Sequence, residues 1–521
     1  MAQTVADKIS IDNLTVEYGT TPLGIDVEIP RFGWRMQVRD DARGYYQTAY
    51  QIVVKDPSGE VVWNSEVVNS ASALAIKYQG SPLKPTSKYN WTVRVWDQNS
   101  EEHTASSWFE TGLMNPGPDL SAWEGAQWIG GSDEDLVLFS QYLPIFRLKY
   151  SLALAEGSTK AGFVFGANDM RLMDKNKNIN LVENKKDEGY IKLELDISGV
   201  NGTATGLAKL NIYRVGYTRE DVADQPLESF RIKSSVIHSA NKNDQHDFEI
   251  SSAFGRIIIS LDGKGGFFLK EQTYQPAIMP FESYSEADGA LVNLNPFGLG
   301  GDYLPYGNLC DIGFTVDSGQ KAAFSNVEIL NDRPPNNTLF KEDLSGNYTG
   351  IFASQVAVDK GSYMVDGRKN GSFVVADPSR NSTPMLRTEF GTERKVATAR
   401  LYVTARGVYE VYINGHRVGN DHYNPGLTQY NKTHMYQTYD VTDLIRSGRN
   451  AVGAMLAEGW WSGLMSFVPI WNHFGDRQSL LAKLVIQYSD DTYKTITTNA
   501  ADWKYFNDGP IIYSSLDLGE I

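Results

Sequence analysis

The sequence is dominated by short runs in which apolar and polar residues alternate. In Tyr89–Trp96 the odd-numbered positions are apolar and the even-numbered ones mostly polar, as a strand packed on one face requires. Three further runs carry β-branched and aromatic residues in near-alternation: Ala49–Val54, Ala397–Ile413 and Leu480–Tyr488. Turn residues such as Asp56–Gly59 separate the runs, and helical periodicity is scarce. The pattern predicts an all-β protein built from several β-sandwich domains.

The length of 521 residues predicts about three domains, because a single hydrophobic core stops growing well below this size. Residues 1–115 suit one sandwich, which Asn115–Pro118 ends with two prolines and a glycine. Residues 133–375 form another β-rich stretch, in which Gly162–Gly166 and Arg256–Leu261 are candidate core strands.

Charge and cysteine content exclude several functions. The net charge of −15 opposes binding to a phosphate backbone, so nucleic acid is not an expected partner. The single cysteine, Cys310, can form neither an intrachain disulfide nor a cysteine-based metal site, and we expect a small buried residue. No apolar run approaches the ~18 residues of a membrane-spanning helix, so no transmembrane segment is expected.

Two groups of short segments occur in an order that resembles a known family. The first group is Asn13–Tyr18, Pro22–Asp26, Pro30–Trp34, Gln47–Ile52 and Trp91–Asp97. The second group is Ala399–Ala405, Gly407–Tyr409, Ile413–Gly415, Arg417–Gly419, Pro425–Gly426, Tyr430, Tyr436–Thr442 and Glu458–Gly463. Together they resemble the N-terminal modules of glycoside hydrolase family 78, the bacterial α-L-rhamnosidases.

The resemblance implies a domain plan. It gives a fibronectin type III-like sandwich over residues 1–115 and a carbohydrate-binding-like jelly roll formed by residues 116–132 together with 376–521. In the family the segment similar to Ala126–Gly130 leads shortly into the one similar to Pro384–Phe390, but here about 250 residues separate them. The simplest account is an inserted domain over residues 133–375, whose β content resembles a concanavalin-type lectin jelly roll.

The resemblance also implies a partner, and the N-terminal residues indicate a location. Gly519–Ile521 resembles the family just before its remaining small sandwich and (α/α) barrel, so a missing C-terminal catalytic domain is the expected partner. That barrel carries the two acidic residues of inverting hydrolysis, and no catalytic residue is therefore transferred to this sequence. Ala2–Thr4 resembles what signal peptidase leaves behind. We expect a periplasmic or extracellular, cell-surface protein, with a cytoplasmic location as the alternative.

Motifs for catalysis are absent from the sequence. An inverting glycosidase needs two carboxyl groups about 6.5–9.5 Å apart, and none of the 63 acidic residues occurs in a context that marks such a pair. The sequence has no nucleophile elbow, no phosphate loop and no histidines at metal-ligand spacing. Asp174–Asn178 begins like a calcium loop, but Ile179 and Lys185 replace the required glycine and glutamate, so a solvated polar loop is expected.

Sugar binding needs only an aromatic platform and a few fixed polar groups, and the candidates cluster in the second sandwich. They are Asn414, Asp421, Tyr423, Trp460 and Trp461. Asn414 and Gly415 form a hairpin turn signal, and the polar loop around Asn420 and Asp421 is a candidate site for a sugar-bridging Ca²⁺. Ordinary turn chemistry is the alternative at each position. Adjacent tryptophans on a strand face opposite sides, so one of the pair is expected to point outward.

Three functions remain open. The first is the non-catalytic N-terminal part of an α-L-rhamnosidase-like hydrolase, which supports the catalytic domain and binds glycans that contain L-rhamnose. The second is a stand-alone carbohydrate-binding or adhesion protein of the cell surface. The third, with the weakest support, places a catalytic carboxylate pair within the inserted jelly roll.

Overall fold

β-strands form nearly all of the regular structure, which confirms the all-β prediction. The computed structural model describes residues 9–38, 43–115, 117, 119–132, 137–176, 178, 182–269, 287–295, 307–332, 336–346, 348–379, 382–465, 472–516 and 519–520. The predicted signal-peptide remnant at Ala2–Thr4 and the boundary residues Pro116 and Pro118 lie outside these ranges. Where helices are described, none has the length and apolar character needed to cross a bilayer.

The first sandwich packs a three-stranded sheet (β1-β2-β5) and a four-stranded sheet (β4-β3-β6-β7). Its strands are β1 Ile9–Val16, β2 Arg31–Val38, β3 Gln47–Lys55, β4 Val61–Asn64, β5 Ile76–Lys77, β6 Lys88–Asp97 and β7 Glu102–Glu110. The alternation predicted in β6 is confirmed, since Tyr89, Trp91, Val93 and Val95 are buried while their neighbours are exposed or half-buried.

An aromatic cluster forms the core between these two sheets. Phe32 packs edge-on against Trp91, with ring centroids 4.9 Å apart, and Tyr89 stacks on Phe109 at 5.3 Å. Trp63 packs 5.6 Å from Phe32. Each such side chain contributes about 1.5–3 kcal/mol on burial, so this small domain needs no disulfide.

The chain divides into two compact units, of which unit 1 consists of residues Met1–Gly131, Pro384–Gly463 and Arg477–Phe506. Unit 2 consists of Ser132–Thr383, Leu464–Asp476 and Asn507–Ile521. The strand β8 (Ile129–Gly130) is the last element of unit 1 before the chain enters unit 2. Unit 1 is therefore discontinuous in sequence.

Unit 2 has a six-stranded sheet (β13-β12-β11-β10-β17-β22) and an eight-stranded sheet (β16-β15-β14-β9-β18-β21-β20, with β19 paired to β18). Its strands are β9 Ile145–Leu154, β10 Lys160–Ala167, β11 Tyr190–Asp196, β12 Lys209–Val215, β13 Glu228–Arg231, β14 His246–Ala253, β15 Arg256–Leu261, β16 Ala290–Asn293, β17 Asp311–Val316, β18 Lys321–Asn331, β19 Thr338–Glu342, β20 Ala357–Asp359, β21 Ser362–Asp366 and β22 Ser372–Ala376. The short helix α1 (Met170–Met173) follows β10.

One large apolar cluster fills the space between the two sheets of unit 2. Tyr150 stacks on Phe163 at 4.1 Å and on Phe248 at 4.9 Å. Cys310 is fully buried, as predicted, and burial raises its thiol pKa well above the ordinary value. The assignment of residues 133–375 as a lectin-like insertion stays a prediction.

The second sandwich of unit 1 packs one sheet (β26-β25-β28-β23-β31) on another (β27-β24-β29-β30, with β8 paired to β29). Its elements are β23 Met385–Thr392, β24 Val396–Arg406, β25 Val408–Ile413, β26 His416–Arg417, β27 Gln437–Asp440, β28 Gly448–Ala457, α2 Gly459–Ser462, β29 Ser479–Tyr488, β30 Tyr493–Thr497 and β31 Lys504–Phe506. The run Ala397–Ile413 is thus two strands in different sheets, divided at Gly407, whose φ is +115°.

Residues 507–521 belong to unit 2 and form hydrogen bonds within it. The amide of Thr383 donates to the carbonyl of Ile511 at 2.8 Å, and the amide of Ser382 donates to the carbonyl of Asn507. The ring of Tyr513 stacks 5.1 Å from Phe139. A short hairpin closes the chain and consists of β32 Ser514–Ser515 and β33 Gly519–Glu520.

Candidate functional site

Tyr423 and Trp460 form an aromatic pair on the second sandwich. Tyr423 is 63% exposed, and its ring centroid lies 6.1 Å from that of Trp460. The amide of Tyr409, at the start of β25, donates to the carbonyl of Asn424, which fixes the Tyr423 loop beside this strand. The exposed ring of Tyr423 and the half-buried ring of Trp460 offer an aromatic surface of the kind that receives the C–H face of a sugar.

The expectation that Trp460 and Trp461 face opposite sides of a strand is wrong, because both lie in the helical turn α2. The amide of Gly463 donates to the carbonyl of Gly459 at 3.1 Å and closes this turn. Gly459 lies so close to β25 that a Cβ atom there would be 2.7 Å from a methyl carbon of Val408. This contact and the positive φ of +49° favour glycine, and the chain turns instead of extending β28.

Trp461 belongs to an aromatic cluster around Arg406, which we define as Trp128, Tyr430, His434 and Trp461. The guanidinium carbon of Arg406 lies 4.6 Å from the Trp128 ring and 5.3 Å from the Trp461 ring, a cation–π arrangement. Burial lowers the pKa of Arg406. Burial lowers the pKa of His434 as well, and the charge of Arg406 adds to this effect.

The loop that contains Asp421 is held by its own hydrogen bonds. The hydroxyl of Tyr439 donates to the carboxylate of Asp421 at 3.0 Å, and the amide of Asn424 donates to the oxygen of Tyr439 at 2.9 Å. Within the described ranges, groups of three acidic, histidine or cysteine ligands do not form at Asn420 and Asp421. Ca²⁺ at this loop stays a prediction.

Asn414 lies at the other end of β25 from Tyr423 and Trp460. It occupies the predicted hairpin turn, with φ +52° followed by Gly415 at +84°, which are the angles of a type I′ turn. Its amide nitrogen donates to the carbonyl of Leu444 and to Asn450, each at 2.8 Å. A strand rises about 3.3 Å per residue, so Asn414 lies about 20 Å from Val408 and the aromatic pair.

A pocket in unit 2 gathers polar side chains that sequence analysis did not assign to a site. Its volume is about 640 Å³. The amide nitrogen of Asn168 donates to the carboxylates of Asp311 at 2.8 Å and Asp187 at 3.2 Å, and the backbone amide of Asp187 donates back to Asn168 at 2.7 Å. The lining residues are Asn168, Met170, Met173, Asp174, Lys175, Asn176, Lys186 and Asp311.

Asp311 is the titratable group of this pocket with a clearly shifted pKa. Burial raises the pKa of Asp311 to about 6, the hydrogen bond from Asn168 opposes the rise, and the nearby charges of Asp377 and Asp187 add to it. The pocket therefore has a carboxyl group whose ionisation changes near neutral pH. Two methionines provide its apolar surface, so it can contact both the hydroxyls and the C–H groups of a sugar.

A partial signal for this pocket exists in the sequence. Asp174–Asn178 begins like a calcium loop, whose ligands follow one another along a single segment. The pocket instead combines this segment with Asn168, after β10, and Asp311, at the start of β17. Residues that meet only through sheet pairing carry no shared local pattern. Lys177 and Ile179 of the calcium-loop-like segment lie outside the described residues.

Two family matches agree with this architecture. Residues 11–115 match the Rha78A-like, N-terminal immunoglobulin domain, and residues 394–521 match the Alpha-L-rhamnosidase N-terminal domain.

Curated relatives extend these matches. An alpha-L-rhamnosidase of Streptomyces avermitilis is 30% identical over 526 residues, which covers 98% of this chain and 42% of the relative. An alpha-L-rhamnosidase of Alteromonas sp. (strain LOR) is 45% identical over 158 residues, or 30% of this chain and 17% of the relative. The chain thus spans less than half the length of these curated relatives.

Solved structures are less similar. The Streptomyces avermitilis alpha-L-rhamnosidase complexed with L-rhamnose gives a TM-score of 0.49 at 23% identity, covering 98% of this chain and 42% of that one. The alpha-L-rhamnosidase from Dictyoglumus thermophilum gives 0.44 at 19% identity, covering 98% and 31%. At these values the structural similarity carries no part of the assignment.

The β-sandwich architecture is consistent with the two domain matches, both of which are to N-terminal β modules. The two matched modules are similar to those of the α-L-rhamnosidases.

Proposed function

We propose that this chain is the non-catalytic β portion of an α-L-rhamnosidase, which supports the catalytic domain and binds glycans that contain L-rhamnose. The observation that carries the binding proposal is the pocket of unit 2. Its volume of about 640 Å³ lies within the range of about 300–1,000 Å³ that is typical of small-ligand sites.

The chemistry of the pocket favours a sugar over an apolar ligand. Asp311 and Asp174 are acceptors, Lys175 and Lys186 are donors, and Asn168 is both. A sugar offers hydroxyls that donate and accept at several positions, and it therefore pairs with such a mixed set. Met170 and Met173 can pack against an apolar edge such as the C6 methyl of a 6-deoxy sugar.

The pair formed by the exposed Tyr423 and the half-buried Trp460 supports a second binding surface in unit 1. Its aromatic faces match the C–H face of a sugar, but the neighbouring Asp421 already accepts the Tyr439 hydroxyl. Fewer polar groups therefore converge here than in the pocket of unit 2. We rank this surface second.

Calorimetric titration of the whole chain with L-rhamnose, with and without Ca²⁺, tests the proposal. The exposed pocket residue Asn176 can be replaced by alanine with little effect on the core, and Tyr423→Ala is the matched change on the other surface. We expect Asn176→Ala to weaken binding severalfold and Tyr423→Ala to leave it unchanged. If Tyr423→Ala weakens binding and Asn176→Ala does not, the rhamnose site lies in unit 1. If no heat is measured under any condition, neither the pocket nor the aromatic pair binds rhamnose.

A further inference from the structure

The hairpin that joins β6 to β7 in the first sandwich gathers three side chains able to bind a metal. Asp97, Glu101 and His103 each offer one ligand atom, and these atoms lie within 4.8 Å of one another. Asp97 is 1% exposed and His103 6% exposed, whereas Glu101 is at the surface. The group is distant in sequence from every residue discussed above as a sugar ligand.

The turn itself fixes the carboxylate of Asp97. Its Oδ1 atom accepts the backbone N–H of Asn99 at 2.8 Å and that of Glu101 at 3.0 Å, and the backbone amide of Asp97 donates to the carbonyl of Glu101 at 3.1 Å. These bonds are those of an Asx turn and account for one oxygen. They also place the backbone of Glu101 directly beside Asp97.

The second oxygen of Asp97, Oδ2, takes no part in the hydrogen bonds of the turn. Oδ2 is buried and accepts no hydrogen bond within the described part of the chain, and it lies 3.8 Å from Nε2 of His103, which is too long for a hydrogen bond. A buried carboxylate oxygen without a donor costs free energy. A cation between Oδ2 and the imidazole would remove this cost.

We propose that Asp97, Glu101 and His103 bind one divalent transition-metal cation of the Zn²⁺ class. Zn²⁺ binds imidazole nitrogen and carboxylate oxygen at about 2.0–2.2 Å, so two of its tetrahedral ligand atoms lie about 3.4 Å apart. The observed 3.8 Å is close to that spacing, and Glu101 can close on the ion because it is exposed. An imidazole ligand favours Zn²⁺ over Ca²⁺ or Mg²⁺, and water completes the coordination.

Titration of the tag-free, chelator-treated full chain with ZnCl₂ tests this site. We expect one equivalent to bind, and the absorption of the Co²⁺-substituted protein to have the strong visible bands of a tetrahedral ion. Glu101→Gln changes one exposed ligand and should leave the fold intact. It should weaken Zn²⁺ binding by at least about tenfold, since even the loss of an outer-shell partner costs 10–100-fold.

Two further variants make the result decisive. Glu102→Gln, the matched control, changes the next residue, which faces Arg94 at 3.7 Å, and should bind Zn²⁺ like the unchanged chain. His103→Gln should abolish the stoichiometric site. Because the chain has seven histidines, binding that survives in both Glu101→Gln and His103→Gln would place the metal elsewhere and overturn the proposal, as would no binding at all.

Discussion

At the level of single residues, Asp311 links protonation to stability. Its folded-state pKa of about 6 exceeds the ordinary value of 3.8, so the folded chain holds this proton more tightly than the unfolded chain. The free energy of unfolding contributed by Asp311 is therefore fully present below about pH 4 and is lost as the pH rises towards 6. We expect Asp311→Asn to stabilise unit 2 at pH 7.5, by about 1–3 kcal/mol, and to have no such effect at pH 4.

Urea unfolding of both chains at several pH values measures this effect. Asp262→Asn is a control for which the stability change has the opposite sign. Burial raises the pKa of Asp262, but hydrogen bonds from His246 and the Asp247 amide outweigh burial and lower the pKa overall. Its replacement should destabilise the chain near neutral pH, and the loss should fade as the pH falls below 4. A pH-independent difference for Asp311→Asn would contradict the prediction.

A second residue-level prediction concerns the ion pair between the two sandwiches of unit 1. Arg400 donates to both oxygens of Glu110, at 2.6 and 2.8 Å, and each side chain is only 11% exposed. Arg400→Met leaves the largely desolvated carboxylate of Glu110 unpaired, and should lower the free energy of unfolding by about 3 kcal/mol.

The exposed pair of Arg387 and Glu389 provides the matched control. Its side chains are 61% and 44% exposed, so Arg387→Met should cost less than about 1 kcal/mol. The double variant Glu110→Gln with Arg400→Met should recover part of the loss, because no charge is then left buried. Equal losses for Arg400→Met and Arg387→Met in urea unfolding would contradict this account.

At the level of secondary-structure elements, Gly407 decides where one strand ends and the next begins. Its φ of +115° is accessible mainly to glycine, and a Cβ atom there would lie 2.4 Å from the carbonyl oxygen of Ala457. Gly407→Ala should cost about 2–4 kcal/mol, because the backbone must shift. Gly415 is the matched control, because its φ is +84° but the space around an added carbon is open. Gly415→Ala should therefore cost only about 1–2 kcal/mol. Urea unfolding measures both losses of stability.

Sequence alternation predicts strands well where a strand packs on one side, as in β6. Alternation does not predict the break at Gly407, because a run of β-forming residues does not reveal which sheet each half joins. It does not predict the helical turn α2 either. Trp460 and Trp461 follow β28 directly, and the close approach of Gly459 to β25 turns the chain there. Among the sugar candidates, Asn414 and Tyr423 are near in sequence but lie at opposite ends of β25, so alternation does not show which candidates are neighbours in space.

For the whole molecule, the sequence indicates an interruption of the second sandwich but not how its pieces join. Leu480 pairs with Ile129, a partner about 350 residues away, and no local pattern encodes such a pairing. The pocket of unit 2 depends likewise on β10 and β17, which pair across about 150 residues. The plan of the second sandwich was predicted from the resemblance to a family. The pocket of unit 2 could be recognised from the sheet topology and not from the sequence.

The two units have separate apolar cores, which predicts two unfolding transitions. The main cluster of unit 2 draws only on residues of that unit, and the clusters of unit 1 draw only on its own. In calorimetry, Arg400→Met should lower the melting temperature of one transition by about 6–12 °C, given about 3 kcal/mol and about 2–4 °C per kcal/mol for domains of this size. Asp311→Asn at pH 7.5 should raise the melting temperature of the other transition and leave the first unchanged. A single transition that responds to both substitutions would show instead that the units unfold cooperatively.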